Sequence, residues 1–171
     1  GVEGSRRLFE TVSGLNEDDL VVALVSGGGS ALLAAPPPGM ELADEIAVNE
    51  TLLASGAPIS VMNVVRKHLS GIKGGRLALA ARPARVVTLV VSDIPGDDPA
   101  MVASGPTVPS RATRAEALAF VESCRLDLPD AARRHLESAE ADAPSSDDAG
   151  FARNEVAIIA SAARSLEAAA K

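Results

Sequence analysis

Leu20-Val21-Val22-Ala23-Leu24-Val25-Ser26-Gly27-Gly28-Gly29-Ser30 is the stretch that decides the fold. Its first six residues are apolar throughout and rich in β-branched side chains, which reads as a strand covered on both faces, as in parallel α/β sheets. Val86 to Val91 (VVTLVV) repeats the pattern, and Val156-Ala157-Ile158-Ile159 is a shorter third run. Helical stretches fall between the first two, over 42–55, 61–69 and 75–81, after the rigid loop Pro36-Pro37-Pro38-Gly39. Two more are predicted over 114–123 and 129–138, and residues 139–150 (AEADAPSSDDAG) read as a mobile polar surface loop. Strand, helices, strand, helices, strand, helix is the order of an α/β fold with a three-layer, mostly parallel, doubly wound (Rossmann-like) sheet. Three strands are few for 171 residues, and the chain opens and closes inside helical patterns, GVEGSRRLFE and SLEAAAK. The expectation is therefore a single α/β domain over 1–171, or a fragment of one, with a sheet incomplete at both ends.

Composition narrows the functions. The 16 Lys and Arg against 23 Asp and Glu give a net charge of −7, so no global positive field draws the chain to nucleic acid or anionic lipid. With no Trp, no Tyr and three Phe, stacking platforms for bases are scarce. The single Cys124 excludes an internal disulfide and a multi-cysteine zinc site, which makes cytoplasm the default compartment. No apolar run is long enough to span a membrane, and the first residues do not form a signal peptide. The expected partner is a small molecule, and an anionic one would need a local basic cluster. Exposed edge strands of an incomplete sheet would favour association between copies.

Three segments carry candidate chemistry. In Ser26-Gly27-Gly28-Gly29-Ser30, the glycines let several backbone N–H groups converge, and Ser30 is placed to cap a helix beginning there, which would make an anion site. A plain glycine turn with a capping serine fits equally well. After Gly27-x-Gly29 the third fingerprint position is Leu32, and no Gly-Lys-Ser/Thr occurs, so neither a dinucleotide fingerprint nor a Walker loop is present. Leu32 also breaks a nucleophile elbow at Ser30; Asp93 and His135 follow in hydrolase order, but His135 lies in the charged stretch AARRHLES, expected to be a solvated helix face.

The second segment runs from Met62 to Arg76 and gathers Arg66, Lys67, Lys73 and Arg76 within eleven positions. Lys73-Gly74-Gly75 reads as a second glycine turn entering a helix, where a lysine and backbone N–H groups would meet an anion. A solvated basic helix with His68 as a hydrogen-bonded structural histidine is the alternative. The third is Ser92-Asp93-Ile94-Pro95-Gly96-Asp97-Asp98-Pro99, just beyond the second strand, at the carboxyl edge where open α/β sheets bind ligands. Its carboxylates suit Mg2+ or acceptance of a hydroxyl proton, although Asp, Gly and Pro are also ordinary turn formers. Ala103 to Thr107 adds nearby hydroxyls, and Asn49-Glu50-Thr51 matches a glycosylation acceptor by chance inside a helix.

Taken together, LVSGGGSALL, MNVVRKHLSGIKGGRLA, VVSDIPGDDP and VASGPT, in this order, resemble the glycerate kinase family that forms 2-phosphoglycerate (MOFRL-type). Its members often carry a hydroxypyruvate reductase name, notably in tartrate utilisation. The resemblance covers nearly the whole chain and implies ATP-dependent phosphorylation of D-glycerate with Mg2+. It implies a phosphate-binding loop at Ser26, Gly27, Gly28, Gly29 and Ser30, with Asp93 as the acidic active-site residue that positions the glycerate hydroxyl or holds the metal. Arg66, Lys67 and Lys73 become candidates for carboxylate or phosphate contacts, with Lys73 beside Asp93 in the catalytic set and Asp97 beside Asp93 as a metal ligand. Pro95 stands where a small aliphatic residue is more usual, and Ser110 where the family tends to have Asp. The resemblance also implies that these residues match the central part of a larger domain, with an earlier lysine-bearing segment and a C-terminal domain outside it. Two rivals stay open: a reductase using NAD(P)H, and an anion-binding fragment without activity.

Overall fold

The computed structural model describes residues 1–170. Three strands, β1 (Leu20–Ser26), β2 (Arg85–Val91) and β3 (Glu155–Ala160), form one parallel sheet in the order β1-β2-β3. Seven α-helices accompany it among the described residues: α1 (Val2–Val12), α2 (Leu42–Ala54), α3 (Ile59–His68), α4 (Arg76–Ala80), α5 (Arg114–Ser123), α6 (Asp130–Glu137) and α7 (Ala162–Ala169). The predicted α/β architecture with parallel strands is the one observed, and none of these helices is long and apolar enough to cross a membrane.

Local chemistry sets the element ends. Thr113 accepts from the Glu116 amide while Glu116 reaches back, a capping box that starts α5, and Glu41 with Asp44 does the same for α2. The helices bury two faces. Val48 and Leu52 of α2, Val65 of α3, Val121 of α5 and Leu136 of α6 close one core. Val12 of α1, Ala78 of α4 and Val86 of β2 close a smaller one against the sheet. Central β2 alternates buried and half-buried positions, and its buried Thr88 hydroxyl donates to Thr107 Oγ1 at 2.8 Å.

Four expectations are corrected. β1 is not covered on both faces among the described residues: Leu20, Val22 and Leu24 are 56%, 53% and 77% exposed, because β1 is the edge of the sheet and nothing described packs on that face. No α-helix starts at Ser30; a single 3-10 turn over Gly29–Ala31 stands there, and the chain turns off toward Pro36-Pro37-Pro38, which cannot continue a helix. Residues 139–150 are not a detached loop. Ala141 is fully buried, and its carbonyl accepts from His68 Nδ1 at 2.8 Å and from Arg76 at 3.2 Å. His135 is buried rather than solvated, lying on the inner face of α6 next to Ala132 and Leu136.

Burial depresses the pKa of both His68 and His135 below the ordinary histidine value, since the charged ring is the costlier one to bury. The folded state then binds fewer protons than the unfolded chain near pH 6, so stability is fully present above about pH 6.5 and is lost as pH falls below it. Urea midpoints measured from pH 7.5 to 5 are expected to decline for the wild type, and more shallowly for His68→Gln. An equal slope in the two proteins would rule out His68 as a source of the loss.

Candidate functional site

The parallel register runs from Leu20 opposite Arg85 to Ser26 opposite Val91, so β1 and β2 end level and release Gly27 and Asp93 side by side. A β-carbon on Gly27 would overlap the Asp93 carboxylate, which therefore lies across the bare α-carbon. Gly28, at φ 77°, turns the chain away from the strand, and the 3-10 turn that follows presents Ser30, whose Oγ is 2.9 Å from Ser104 Oγ. Asp93 and Ser30 thereby open onto a cleft of about 630 Å³. Its wall also holds Glu45 and Asn49 of α2, Arg66 of α3, and Lys73. A second cleft of about 410 Å³, apolar and without an ionisable lining residue, adjoins Ser26 and Gly29, so the glycine loop separates the two.

The cations of the cleft are held from behind. Arg66 Nε donates to Asn49 Oδ1 at 2.7 Å, and Lys73 Nζ lies 3.8 Å from Glu45 Oε1. Lys73 and Glu45 are almost fully buried side chains. Burial pushes Lys73 down from the usual lysine range, with Glu45 opposing the shift, and pushes Glu45 up, with Lys73 opposing. Burial alone lowers Arg66.

The structure gathers Asp93, Ser30, Gly28, Arg66 and Lys73 on one cleft and leaves other candidates elsewhere. Lys67 is buried with its Nζ 3.6 Å from Met101 Sδ, burial lowering its pKa and Asp98 opposing, and it does not line the cleft. Asp97 is half-buried at the neighbouring strand ends, where the Ser92 and Ser161 hydroxyls hold it below the usual carboxylate range. Among the described residues no group of three or more His, Cys, Asp or Glu is placed to hold a metal. His135 lies on α6, away from the cleft lining, so no triad with Ser30 and Asp93 is assembled.

The second glycine turn is not an anion cradle. Gly74 N–H donates to Ser104 O at 3.1 Å, Gly75 N–H to Gly105 O at 2.8 Å and Leu77 N–H to Pro106 O at 3.0 Å. Its amides are used in docking the Ser104-Gly105-Pro106 strip. Arg76 adds bonds to the carbonyls of Lys67 and Lys73, so it is a structural staple rather than a free cation. Glu45 and Asn49 carry no signal in the sequence LADEIAVNETLLA that sets them apart from its other polar residues, Asp44, Glu50 and Thr51.

Residues 1–137 match the family model described as "Domain of unknown function (DUF4147)". The chain belongs to this family. Over 169 residues it is 54% identical to a protein of Agrobacterium vitis that bears a provisional hydroxypyruvate reductase name, covering 99% of this chain and 43% of that protein. It is 43% identical over 135 residues to a D-glycerate 2-kinase of Thermotoga maritima, covering 79% of this chain and 32% of the kinase. The crystal structure of a glycerate kinase from Thermotoga maritima superposes with a TM-score of 0.81 at 38% identity, over 93% of this chain and 37% of that one. The chain thus spans less than half the length of these relatives, and the motif resemblance to glycerate kinases agrees with them.

Because a side chain at position 27 collides with Asp93, Gly27→Ala is expected to displace the carboxylate while leaving the β1–β2 pairing intact. Carboxylate carbon NMR of Asp93 checks this; an unmoved resonance in a folded variant would contradict the packing described.

Proposed function

We propose that these residues form one wall of the active site of a glycerate 2-kinase, which transfers the γ-phosphoryl group of ATP to the 2-hydroxyl of D-glycerate. The observation that carries the reading is the cleft itself. One carboxylate, Asp93, stands at the carboxyl ends of two parallel strands, and two cations, the half-buried Arg66 and the buried Lys73, share its cavity. Phosphoryl transfer asks for positioning and charge neutralisation rather than covalent catalysis, and this set supplies both. Asp93 accepts the hydrogen bond of the attacking hydroxyl and aims its oxygen. Arg66 and Lys73 meet the carboxylate of glycerate or the transferred phosphoryl group, and Ser26 to Ser30 shapes the floor against which phosphate oxygens rest. Mg2+ fits the donor set in the usual kinase manner, with one protein carboxylate and the remaining positions left to phosphate and water. Asp93 is the residue that would hold it, and its chemistry there is neutralisation of phosphate charge. Asp97 serves the fold of the β2–β3 edge instead. A small-metabolite kinase using ATP suits a cytoplasmic setting.

The Agrobacterium relative's name favours a second reading, reduction of hydroxypyruvate. The glycine loop argues against it, since Leu32 occupies the third fingerprint position, and the second glycine turn has its Gly74 and Gly75 amides engaged by backbone carbonyls.

Incubation of the longest chain that carries these residues with Mg·ATP and D-glycerate is expected to form 2-phosphoglycerate, with no oxidation of NADH on hydroxypyruvate. Asp93→Asn should lower kcat by about a hundredfold or more with the thermal midpoint kept. NADH oxidation without phosphorylation would replace the kinase by the reductase, and unchanged turnover in Asp93→Asn would remove Asp93 from the reaction.

A further inference from the structure

Two residues of α2 reach the cleft without being suited to touch the reacting groups. Glu45 and Asn49 are four apart and lie one turn above each other on the same face of the helix. Asn49 is held at both ends of its amide: Nδ2 donates to Glu45 O at 2.9 Å, and Oδ1 accepts from Arg66 Nε at 2.7 Å. Arg66 NH1 reaches only a long contact of 3.4 Å with Asn63 Oδ1, so Asn49 is the partner that fixes the guanidinium plane. Glu45 is 9% exposed, and its Oε2 is buried with no hydrogen-bond partner, while its Oε1 faces Lys73. A buried carboxylate oxygen left unpaired is costly, and an apolar residue would suit the helix core better. The lysine it faces offsets the cost first, and the Ala35 backbone amide acts in the same direction.

The geometry points to Glu45 and Asn49 as positioning residues that hold Lys73 and Arg66 on the cleft wall for an anionic substrate. The inference rests on the reading of this cleft as the glycerate and phosphate site. Each does its part differently. Asn49 sets direction: Arg66 keeps its charge at any accessible pH, so a neutral amide suffices to orient it. Glu45 sets charge as well as place. Lys73 faces Glu45 from α2 and Arg66 from α3, and the cation repels its proton as burial does; Glu45 is the opposing influence. Without it, Lys73 is left in a nearly buried place beside another cation and loses its proton at lower pH. The arrangement also leaves the cluster of Glu45, Lys73 and Arg66 one positive charge in excess, ready for an anion.

The test is the pH dependence of inorganic phosphate binding, measured by calorimetry from pH 6 to 10 on the wild type and on Glu45→Gln, Glu45→Asp, Asn49→Ala and Lys73→Met. In the wild type, binding is expected to weaken on the alkaline side as Lys73 deprotonates, and Lys73→Met should lack that limb. Glu45→Gln should move the limb to lower pH by a unit or more, weakening phosphate about tenfold above it, and Glu45→Asp should restore most of the shift. Asn49→Ala should raise the Kd several-fold at every pH with the limb unmoved. A limb that stays in place in Glu45→Gln, a limb that survives in Lys73→Met, or a wild type that binds no phosphate overturns the inference. A merely structural role would lower the thermal midpoint and leave the limb where it is. The kinase reading is judged separately by turnover: phosphate binding with the expected shift but no phosphorylation of glycerate would sink that reading alone.

Discussion

Three backbone hydrogen bonds join two distant parts of the chain, and the site depends on them. The amides of Gly74, Gly75 and Leu77 donate to the carbonyls of Ser104, Gly105 and Pro106, one after another, like a short ladder outside the sheet. Gly75, at φ 88°, has Pro109 backbone about 3.0 Å from where its β-carbon would stand, and Gly105 is equally tight against Ala100 and Val108, so glycine at both positions permits the approach. The ladder fixes Lys73 just before it and Ser104 just inside it. Both then face the cleft, where Ser104 meets Ser30 from the end of β1. In this way the segment after β2 ties the α3–α4 connection to the β1 loop, and three stretches distant in sequence share one wall.

The sheet and the boundaries of most helices were legible because their signals are local. An unbroken apolar run, a capping box, or a glycine after a helical period acts within a few residues. The same locality explains what was misread. Ser30 had the pattern of a helix cap, but the prolines at 36–38 prevent the helix and the hydroxyl pairs with Ser104, seventy-four positions away. Lys73-Gly74-Gly75 had the pattern of an anion turn, but its amides are claimed by a strip lying some thirty residues further on. Residues 139–150 had the composition of a free loop, and the carbonyl of Ala141 is held by His68 and Arg76. Each time a long-range partner took a group that sequence shows only as available.

For the cleft, residue types were legible and roles were not. Asp93, Arg66 and Lys73 stood out by charge, and the level ends of β1 and β2 do bring Asp93 to the glycine loop. Lys67 stood out equally, yet one position along a helix turns a side chain by about 100°. It points to Met101 and Asp98 rather than to the cavity. Glu45 and Asn49 were invisible because nothing in a helix sequence marks which polar residue faces inward until its neighbours are placed. The exposed face of β1 belongs to the same class: Leu20, Val22 and Leu24 read as core residues, and the described residues leave them uncovered.

Net charge is a poor guide to what such a chain binds. At −7 the protein repels anions at long range, but across the Debye length of physiological salt, about 8 Å, only the nearest groups count. Within the cleft those are Arg66 and Lys73 on one side of the balance and Glu45 and Asp93 on the other. Burial of the Lys73–Glu45 pair removes the water that would otherwise screen it. Glu45 is matched by Lys73, whereas the side-chain partners of Arg66 are the neutral amides of Asn49 and Asn63. The acidic balance of the whole chain therefore describes its surface, and the local balance in the cleft is set by which charges are buried there.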